Sequence, residues 1–278
     1  MTEKLADINV IPIKRNLVIH PSLPSATILR VPFHRLCFDD ALHMAVDYIQ
    51  SKEPHQICLS NAYTVALAQN DEPFMRLMQN ADLVLADGMS IVWGARWVGL
   101  KLPGRIAGPD FMEALCAIAA QKGYGIFLLG STHENLLQLS EALLSRYPQL
   151  IIRGMYSPPM CEEIDDIENQ KIIQKLNDAK PDIMFVGMSA PKQEKWIAAH
   201  LQTFHIPLCV GVGAAFDFIS GRIPRAPNWM QKSGLEWAYR LFCEPKRLWR
   251  RYLLGNLVFL SLLLKECITI SFKKNYIK

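Results

Sequence analysis

Residues 183–212 read IMFVGMSAPKQEKWIAAHLQTFHIPLCVGV, and the fold class can be inferred from them. Two short apolar runs, Ile183–Val186 and Leu208–Val212, have the length of buried strands. The segment between them, Gln193–Thr203, has the length of a helix. Apolar strands separated by helices are typical of a parallel sheet that is covered on both faces. The stretch therefore predicts a βαβ unit.

The same alternation of strand-length and helix-length segments extends from this unit toward the N-terminus. Further strands are predicted at Gln56–Leu59, Leu83–Ala86, Ile126–Leu129 and, more weakly, Leu150–Arg153. Helices are predicted at Asp39–Gln50, Pro109–Gln121, Asn135–Tyr147 and Ile167–Ala179. The pattern predicts an α/β fold with a Rossmann-like, mostly parallel sheet and helices on both faces.

Composition excludes several classes of protein. Half of the 278 residues are hydrophobic and 20% are charged, so wholesale disorder is excluded. The seven cysteines are odd in number and form no CxxC pair, which disfavours a disulfide framework or a zinc site and favours the reducing cytosol. The first 15 residues do not resemble a signal peptide. The longest charge-free apolar stretch near the C-terminus, Tyr252–Leu264, is 13 residues long, shorter than the ~20 that a membrane span needs.

Charge is distributed unevenly along the chain. Residues 222–278 hold 12 Lys or Arg and three Asp or Glu, a net +9, whereas the whole chain carries +4 and residues 1–221 therefore carry −5. Such a basic tail is typical of proteins that bind nucleic acid or an anionic membrane surface. Its basic residues are interleaved with long apolar runs, so we expect a membrane surface as partner and no nucleic acid.

Three parts of the chain are expected from these patterns. Residues 1–25 form a poorly patterned lead-in, and residues 26–221 form the α/β domain. Residues 222–278 form a basic, helical, membrane-associating segment, which we call the C-terminal appendage. Two helices are predicted there, over 227–243 and 246–264, with a break at Pro245.

Two motifs lie at the end of a predicted strand or the start of a predicted helix, where catalytic or ligand-binding residues are often found. Asp87-Gly88 comes directly after a strand, where parallel sheets bind ligands, so Asp87 is a candidate general base. The alternative is a structural carboxylate that caps the next helix. Arg105 precedes a Gly-Pro turn and Asp110, which favours an anion site. The alternative there is an N-capping Asp110 and a surface arginine.

Two more motifs lie further along the chain. The segment Gly187–Trp196 offers Lys192 and Gln193 as donors for a phosphate or a sugar, although it could equally be an ordinary strand–helix turn. Gly211-x-Gly213 resembles half of a dinucleotide fingerprint, but Phe216 stands where a third glycine belongs. Asp217, next in the chain, could contact a base, a ribose or nothing.

Absent motifs narrow the possibilities further. The chain has no DxD, HxH, HExxH, GxSxG or GxxxxGK[ST] motif. These absences disfavour a metalloenzyme, a triad hydrolase and a P-loop nucleotidase, and we expect neither a metal nor a bound cofactor. Two other hypotheses about the function stay open. The protein could be an NAD-dependent oxidoreductase that uses Gly211–Asp217, or a non-catalytic, membrane-bound assembly protein.

Taken together, the motifs resemble one family, the WecG/TagA/CpsF glycosyltransferases (glycosyltransferase family 26), over about residues 28–254. The matching residues are, in chain order, Asn61; Ala81-Asp82 with Ala86-Asp87-Gly88-Met89; Arg105-Ile106 with Gly108 and Asp110; Pro181-Asp182 with Gly187 and Ala190-Pro191-Lys192-Gln193-Glu194; Gly211 with Gly213-Ala214 and Phe216-Asp217; and Arg225-Ala226-Pro227 with Leu235-Glu236-Trp237, Arg240-Leu241 and Pro245. Asp87-Gly88-Met89 with Val92-Trp93 and Arg96 is most similar to the exopolysaccharide branch.

The resemblance implies an inverting bacterial glycosyltransferase of cell-surface polysaccharide biosynthesis. Its donor would be a UDP-sugar that carries, for example, N-acetylmannosamine, the uronic acid of that sugar or glucose. Its acceptor would be a sugar on a polyprenyl diphosphate. It would work peripherally on the cytoplasmic face of the cell membrane, without a metal, because arginines and helix N-termini can hold the departing diphosphate. The oligomeric state is left open, and a homo-oligomer is compatible with the sequence.

Site residues follow from the same resemblance. The proposed base maps to Asp87, and the phosphate- or substrate-binding arginine and glutamine map to Arg105 and Gln193. The remaining candidates for substrate binding are Asn61, Asp110, Lys192, Glu194, Gly213 and Asp217, with Arg222, Arg225, Arg240 and Arg247 from the appendage. One position departs from the family pattern. Leu59 stands where the family often has Thr, so a hydroxyl contact there would have to come from Ser60 or Thr64.

Overall fold

A computed structural model describes residues 23–161 and 163–276, with the backbone alone at 271 and 273–276. Most of the predicted lead-in, residues 1–22, lies outside this range. The described chain begins with an antiparallel hairpin of β1 (Ser25–Ile28) and β2 (Val31–His34), which the sequence patterns did not predict. His34 Nδ1 accepts a hydrogen bond of 2.9 Å from the backbone N–H of Val84, so the hairpin covers a sheet edge.

The central sheet has six parallel strands in the order β4-β3-β8-β7-β5-β6. They are β3 (His55–Ser60), β4 (Leu83–Ala86), β5 (Gly125–Gly130), β6 (Ile151–Tyr156), β7 (Ile183–Gly187) and β8 (Leu208–Gly211). All six predicted strands are present, with ends that differ by three residues or fewer. The predicted α/β class with a parallel, Rossmann-like sheet is therefore confirmed.

Helices of the α/β domain cover both faces of the sheet. They are α1 (Phe38–Ser51), α2 (Ala62–Ala68), α3 (Glu72–Asn80), α4 (Met89–Trp97), α5 (Gly108–Lys122), α6 (His133–Arg146), α7 (Asp166–Ala179), α8 (Lys192–His200) and α9 (Ala215–Ile219). The five predicted helices correspond to α1, α5, α6, α7 and α8. The short helices α2, α3 and α9 were not assigned from the sequence, and α4 was expected only as the helix that follows Asp87-Gly88.

Alternate residues of each strand point into opposite halves of the core. Ile57 and Leu59 of β3 pack with helices α1, α5, α6 and α9 on one face. Cys58 packs on the other face with α2, α3 and α4. Helices α7 and α8 extend that second face beneath β5 and β7. Burial of both faces explains why these strands appear in the sequence as continuous apolar runs.

The C-terminal appendage is helical, as predicted, but its helices have other bounds. They are α10 (Asn228–Lys232), α11 (Glu236–Cys243), α12 (Pro245–Trp249), a π-helical turn (Arg250–Leu254) and α13 (Gly255–Tyr276). The predicted break at Pro245 is present. The predicted single helix over 227–243 is instead interrupted at Gly234, which has φ 73°. The last helix does not end at 264 but continues to Tyr276.

Part of the appendage packs on the α/β domain. Phe259 and Leu263 of α13 are buried among α2, α3 and α4, and a Cβ at Gly94 of α4 would lie 3.2 Å from Leu263 Cδ2. The run Pro245–Ile270 is nevertheless long and apolar enough to cross a membrane by length and composition, and 17% of its most apolar window is buried. The expectation that the C-terminal apolar stretch is too short for a membrane span was therefore wrong, because the helical run is longer than the charge-free stretch within it.

Candidate active site

The carboxyl ends of all six parallel strands open into one cleft of about 1050 Å³. Its volume lies at the upper end of the range of small-molecule binding pockets. Loops that follow the strands of the α/β domain form one wall. Residues of α11, α12 and the π-helical turn form the other wall. The cleft therefore lies between the domain and its appendage.

Asp87 lies in this cleft at the end of β4. Its backbone N–H donates to the carbonyl of Ser60 over 2.8 Å, and its Oδ1 accepts from the N–H of Gly108 over 3.2 Å. The N-terminus of α4 has no side-chain cap, so the alternative of a helix-capping Asp87 is wrong. The carboxylate instead meets the first residue of α5.

The environment of Asp87 raises its pKa to about 7. Burial is the largest cause, because it disfavours the charged form, and the charge of Glu236 acts in the same direction. The hydrogen bond from Gly108 and the charges of Arg105 and Arg240 oppose this rise. A carboxylate with a pKa near the working pH is suited to general base catalysis.

A chain of four alternating charges joins the two walls of the cleft. Arg105 Nη1 donates to Glu236 Oε2 over 2.7 Å, and Arg225 Nε donates to Glu236 Oε1 over 3.4 Å. Arg225 Nη2 donates in turn to Asp110 Oδ2 over 2.8 Å. Burial lowers the pKa of Arg225, but its bonds to Asp110 and the charge of Glu236 raise it above the ordinary value.

The chain changes the interpretation of two predicted residues. Asp110 and Arg225 are not among the residues that line the cleft. Asp110 does not cap α5, whose N-terminus has no side-chain cap. These two residues instead bond the appendage to α5, while Arg105 does line the cleft, as predicted for an anion-binding residue.

Gln193 lines the cleft, but bonds within the protein use both polar atoms of its side chain. Its Oε1 accepts from the N–H of Gly213 over 3.1 Å, and its Nε2 donates to Glu194 Oε1 over 2.8 Å. A Cβ at Gly211 would lie 2.8 Å from Nε2. The glycine pair therefore accommodates Gln193, which removes the main argument for a dinucleotide site. Glu194 is buried outside the cleft lining, and burial raises its pKa to about 6.

Asn61 and Lys192 also line the cleft, and the side chain of each forms hydrogen bonds within the protein. Asn61 Oδ1 caps α2 by accepting from the N–H groups of Tyr63 and Thr64. Lys192 Nζ donates to the carbonyl of Cys161 over 2.6 Å. The hydroxyls of Ser60 and Thr64 are 2.6 Å apart. The polar groups beside Leu59 therefore form a capping network at this corner.

Asp217, Arg222, Arg240 and Arg247 line the remaining part of the cleft. Asp217 Oδ1 accepts from Asn135 Nδ2 over 3.1 Å and lies 3.5 Å from Arg222 Nη1. The Arg240 guanidinium lies 5.0 Å from the ring centre of Phe218, and within the described chain its buried Nε has no hydrogen-bond partner. Arg247 Nη2 donates to Glu244 Oε2 over 2.8 Å.

Three further charged residues of the cleft wall, Glu236, Arg250 and Arg251, were not among the predicted site residues. Glu236 stood inside a matched motif, and the two arginines follow Arg247 in the same basic run, so proximity to recognised residues was the available signal. The Arg251 guanidinium lies 4.8 Å from the ring centre of Tyr63. Across residues 23–161 and 163–276, no group of three or more His, Cys, Asp or Glu that could hold a metal is found.

Comparison with known proteins finds a matching family model and similar curated proteins. The model of the glycosyl transferase WecG/TagA/CpsF family matches residues 26–273. The N-acetylglucosaminyldiphosphoundecaprenol N-acetyl-beta-D-mannosaminyltransferase of Bacillus subtilis (strain 168) is 32% identical over 206 residues, which are 74% of this chain and 78% of that protein. The protein of the same name from Staphylococcus aureus (strain NCTC 8325 / PS 47) is 31% identical over 194 residues, which are 70% of this chain and 74% of that protein.

Proposed function

Because the chain belongs to the WecG/TagA/CpsF family of glycosyl transferases, we propose that it transfers a sugar from a UDP-sugar to a sugar carried on a polyprenyl diphosphate. The names of the two relatives specify an N-acetylglucosaminyl-diphosphoundecaprenol acceptor, which supports this acceptor class. The observation that carries the proposal is the position of Asp87, a carboxylate with a pKa of about 7 in a cleft lined by arginines.

The proposed chemistry is a single displacement. Asp87 accepts the proton of the acceptor hydroxyl as its oxygen attacks the anomeric carbon of the donor. The bond from that carbon to the UDP oxygen breaks, the electron pair leaves with UDP, and the configuration inverts. The proton remains on Asp87 until it is released to solvent. No enzyme nucleophile is needed for this reaction.

Positive charge in the cleft would stabilise the departing diphosphate. Arg105 reaches the cleft from the α/β domain, and Arg240 and Arg247 reach it from the appendage. Such charge-assisted bonds strengthen as negative charge develops on the leaving group. We therefore propose that the transfer proceeds without a metal ion.

Donor identity is the finer part of the proposal. The relatives are named as N-acetylmannosaminyltransferases, so UDP-N-acetylmannosamine is the first donor to test. Its uronic acid and UDP-glucose remain in the panel, because the motif around Asp87 is most similar to the exopolysaccharide branch. Leu59 and Thr64 line the cleft, whereas Ser60, whose hydroxyl is 2.6 Å from that of Thr64, lies outside its lining, so Thr64 is the hydroxyl we propose for a sugar contact beside Leu59.

We further propose that the appendage holds the enzyme peripherally on the cytoplasmic face of the cell membrane. It exposes the large apolar side chains Trp229, Phe242 and Trp249 near the basic residues Lys246 and Arg250. Aromatic residues at an interface and cations near anionic lipids each favour membrane attachment. Buried Phe259 and Leu263 keep one face of α13 on the protein.

A donor screen tests the proposed function. The full-length protein is incubated with EDTA, each UDP-sugar and a short-chain polyprenyl-diphosphate N-acetylglucosamine, and UDP release and acceptor mass are followed. Acceptor-dependent UDP release with one donor, and a product heavier by one sugar, is the expected result. The absence of turnover with every donor, repeated with Mg²⁺, Mn²⁺ and membranes, would contradict the transferase. Turnover that EDTA abolishes would contradict metal independence alone.

A further inference from the structure

Glu236 is a carboxylate in the cleft that the proposed reaction does not use. It is the first residue of α11, and its side chain is 14% exposed. A negative charge beside the binding site of a diphosphate opposes binding, so its presence there needs another explanation.

Both oxygens of Glu236 are occupied, and its two partners come from different walls of the cleft. Oε2 pairs with Arg105, which reaches the cleft from the segment that leads into α5. Oε1 pairs with Arg225 of the appendage, which Asp110 in turn fixes to α5. Arg105 is only 18% exposed on its side chain, so this pair is largely shielded from solvent. Glu236 therefore holds Arg105 in one position.

The backbone before Glu236 explains how it reaches this position. Gly234 has φ 73°, in the left-handed region that favours glycine. A Cβ there would lie 2.8 Å from Met89 Cβ and 2.8 Å from Trp93 Cη2, both on α4. Glycine thus lets the start of α11 contact the helix that follows Asp87-Gly88. The N-terminus of α11 also favours a carboxylate.

We propose that Glu236 is the positioning residue of this site: it holds Arg105 for the departing diphosphate and acts on Asp87 by its charge from the opposite wall. This role rests on the proposed function, in which Asp87 is the base and Arg105 binds phosphate. The charged groups that act on Asp87 are Glu236 and Arg240 from α11 and Arg105 from the segment before α5. Docking of the appendage and the basicity of Asp87 are thereby coupled.

The variant Glu236→Gln separates charge from shape, because its amide oxygen can still accept from Arg105. Removal of the negative charge should lower the pKa of Asp87, because the charge of Glu236 raises it. The acidic limb of the pH–kcat/KM profile should move to lower pH, and kcat on the plateau should fall several-fold because the base is weaker. A merely structural glutamate would lower activity without moving the limb.

Glu113→Gln is the matched control, since Glu113 forms a partly buried ion pair with Arg146 that lies outside the cleft lining. Its acidic limb should coincide with that of the wild type. An unmoved limb in Glu236→Gln, or an equal shift in both variants, would overturn the proposal.

Two measurements test the proposal without turnover. The first is a titration of the Asp87 carboxyl by ¹³C NMR, assigned by the loss of its signal in Asp87→Asn, in the wild type and in Glu236→Gln. The second is amide hydrogen exchange of residues 101–108 and 228–243 in Glu236→Ala, where faster exchange is expected. Unchanged titration and exchange would overturn the positioning role. A wild type with no transferase activity would refute the proposed function and leave both of these readouts intact.

Discussion

The carboxylate of Asp87 and the backbone N–H of Gly108 are 3.2 Å apart, so the proposed base faces the first residue of α5. A helix N-terminus stabilises a negative charge, whereas burial disfavours it. Burial is the larger of these effects, and the pKa of Asp87 therefore rises to about 7 instead of falling. Four predictions test this site and the proposed attachment of the appendage to a membrane.

Asp87→Asn should reduce kcat by about 10²–10⁴-fold, because the amide cannot accept the proton of the acceptor hydroxyl. The fold should persist, since the Asn oxygen can still accept the hydrogen bond from Gly108. UDP release and circular dichroism measure the two effects. Asp178→Asn, on the exposed surface of α7, is the control. A rate near that of the wild type in Asp87→Asn would remove Asp87 as the base.

The pH dependence should follow the protonation of Asp87. With a pKa of about 7 in the free enzyme, kcat/KM should fall about tenfold for each pH unit below 7 and level off above it. The raised pKa also means that the folded state binds the proton more tightly than the unfolded chain. Its contribution to stability is therefore present below about pH 4 and lost as the pH rises through about 7. Thermal unfolding at pH 5 and pH 8 measures this effect, and the loss of stability between the two pH values should be smaller in Asp87→Asn than in the wild type.

Arg105→Ala should lower kcat/KM for the UDP-sugar by about 10–100-fold, the effect expected when one hydrogen bond to a charged group is lost. The same change leaves Glu236 without one of its two ion-pair partners, so a lower melting temperature is also expected. Steady-state kinetics with varied donor measure the first effect. Arg146→Ala removes an arginine outside the cleft lining and should keep the kinetic constants of the wild type. Equal kinetics in both variants would refute donor binding by Arg105.

Binding to vesicles that contain anionic lipid should weaken when apolar side chains of the appendage are removed. Trp249→Ser and Phe242→Ser together should shift the partition toward the free protein, and added salt should weaken binding further because it screens the basic residues. Ile167→Ser is the control, since Ile167 is also an exposed apolar residue but lies on α7 of the α/β domain. Sedimentation with vesicles measures the wild type, the double variant and the control. Partitioning that is insensitive to both salt and the double substitution would contradict peripheral attachment.

Five strands of the sheet could be predicted because they are buried on both faces and form apolar runs in the sequence. The sixth, β6, is only partly buried, and its sequence signal was correspondingly weaker. The hairpin β1–β2 could not, because only alternate residues such as Ala26 and Ile28 are buried in it and the strands are four residues long. The extension of α13 was missed because Lys265 and Glu266 end the apolar run while the backbone continues as a helix to Tyr276. Lys265 is exposed to solvent, whereas Glu266 Oε2 accepts from the backbone N–H of Leu29 over 3.2 Å, so both charges are accommodated without ending the helix.

Residues of the cleft could be predicted only where the fold itself brings them together. Asp87, Gln193 and Asp217 follow strands of one parallel sheet, so their meeting at one edge is a consequence of topology. The partners of Asp110 and Arg225 depend on where the appendage docks, which no local pattern encodes. Glu236 was missed for the same reason, although its motif was recognised.

The hydrogen bond from Val84 to His34 has a consequence for solubility. β4 is the last strand on its side of the sheet, and an uncovered edge strand can pair with another molecule. The acceptor at His34 is an imidazole lone pair, which a proton would occupy. Burial lowers the pKa of His34 more than the charge of Asp82 raises it, so the cover should persist at neutral pH. Once the pH falls below the lowered pKa of His34, the protonated ring can no longer accept, and intermolecular strand pairing, visible as turbidity, should begin at this edge.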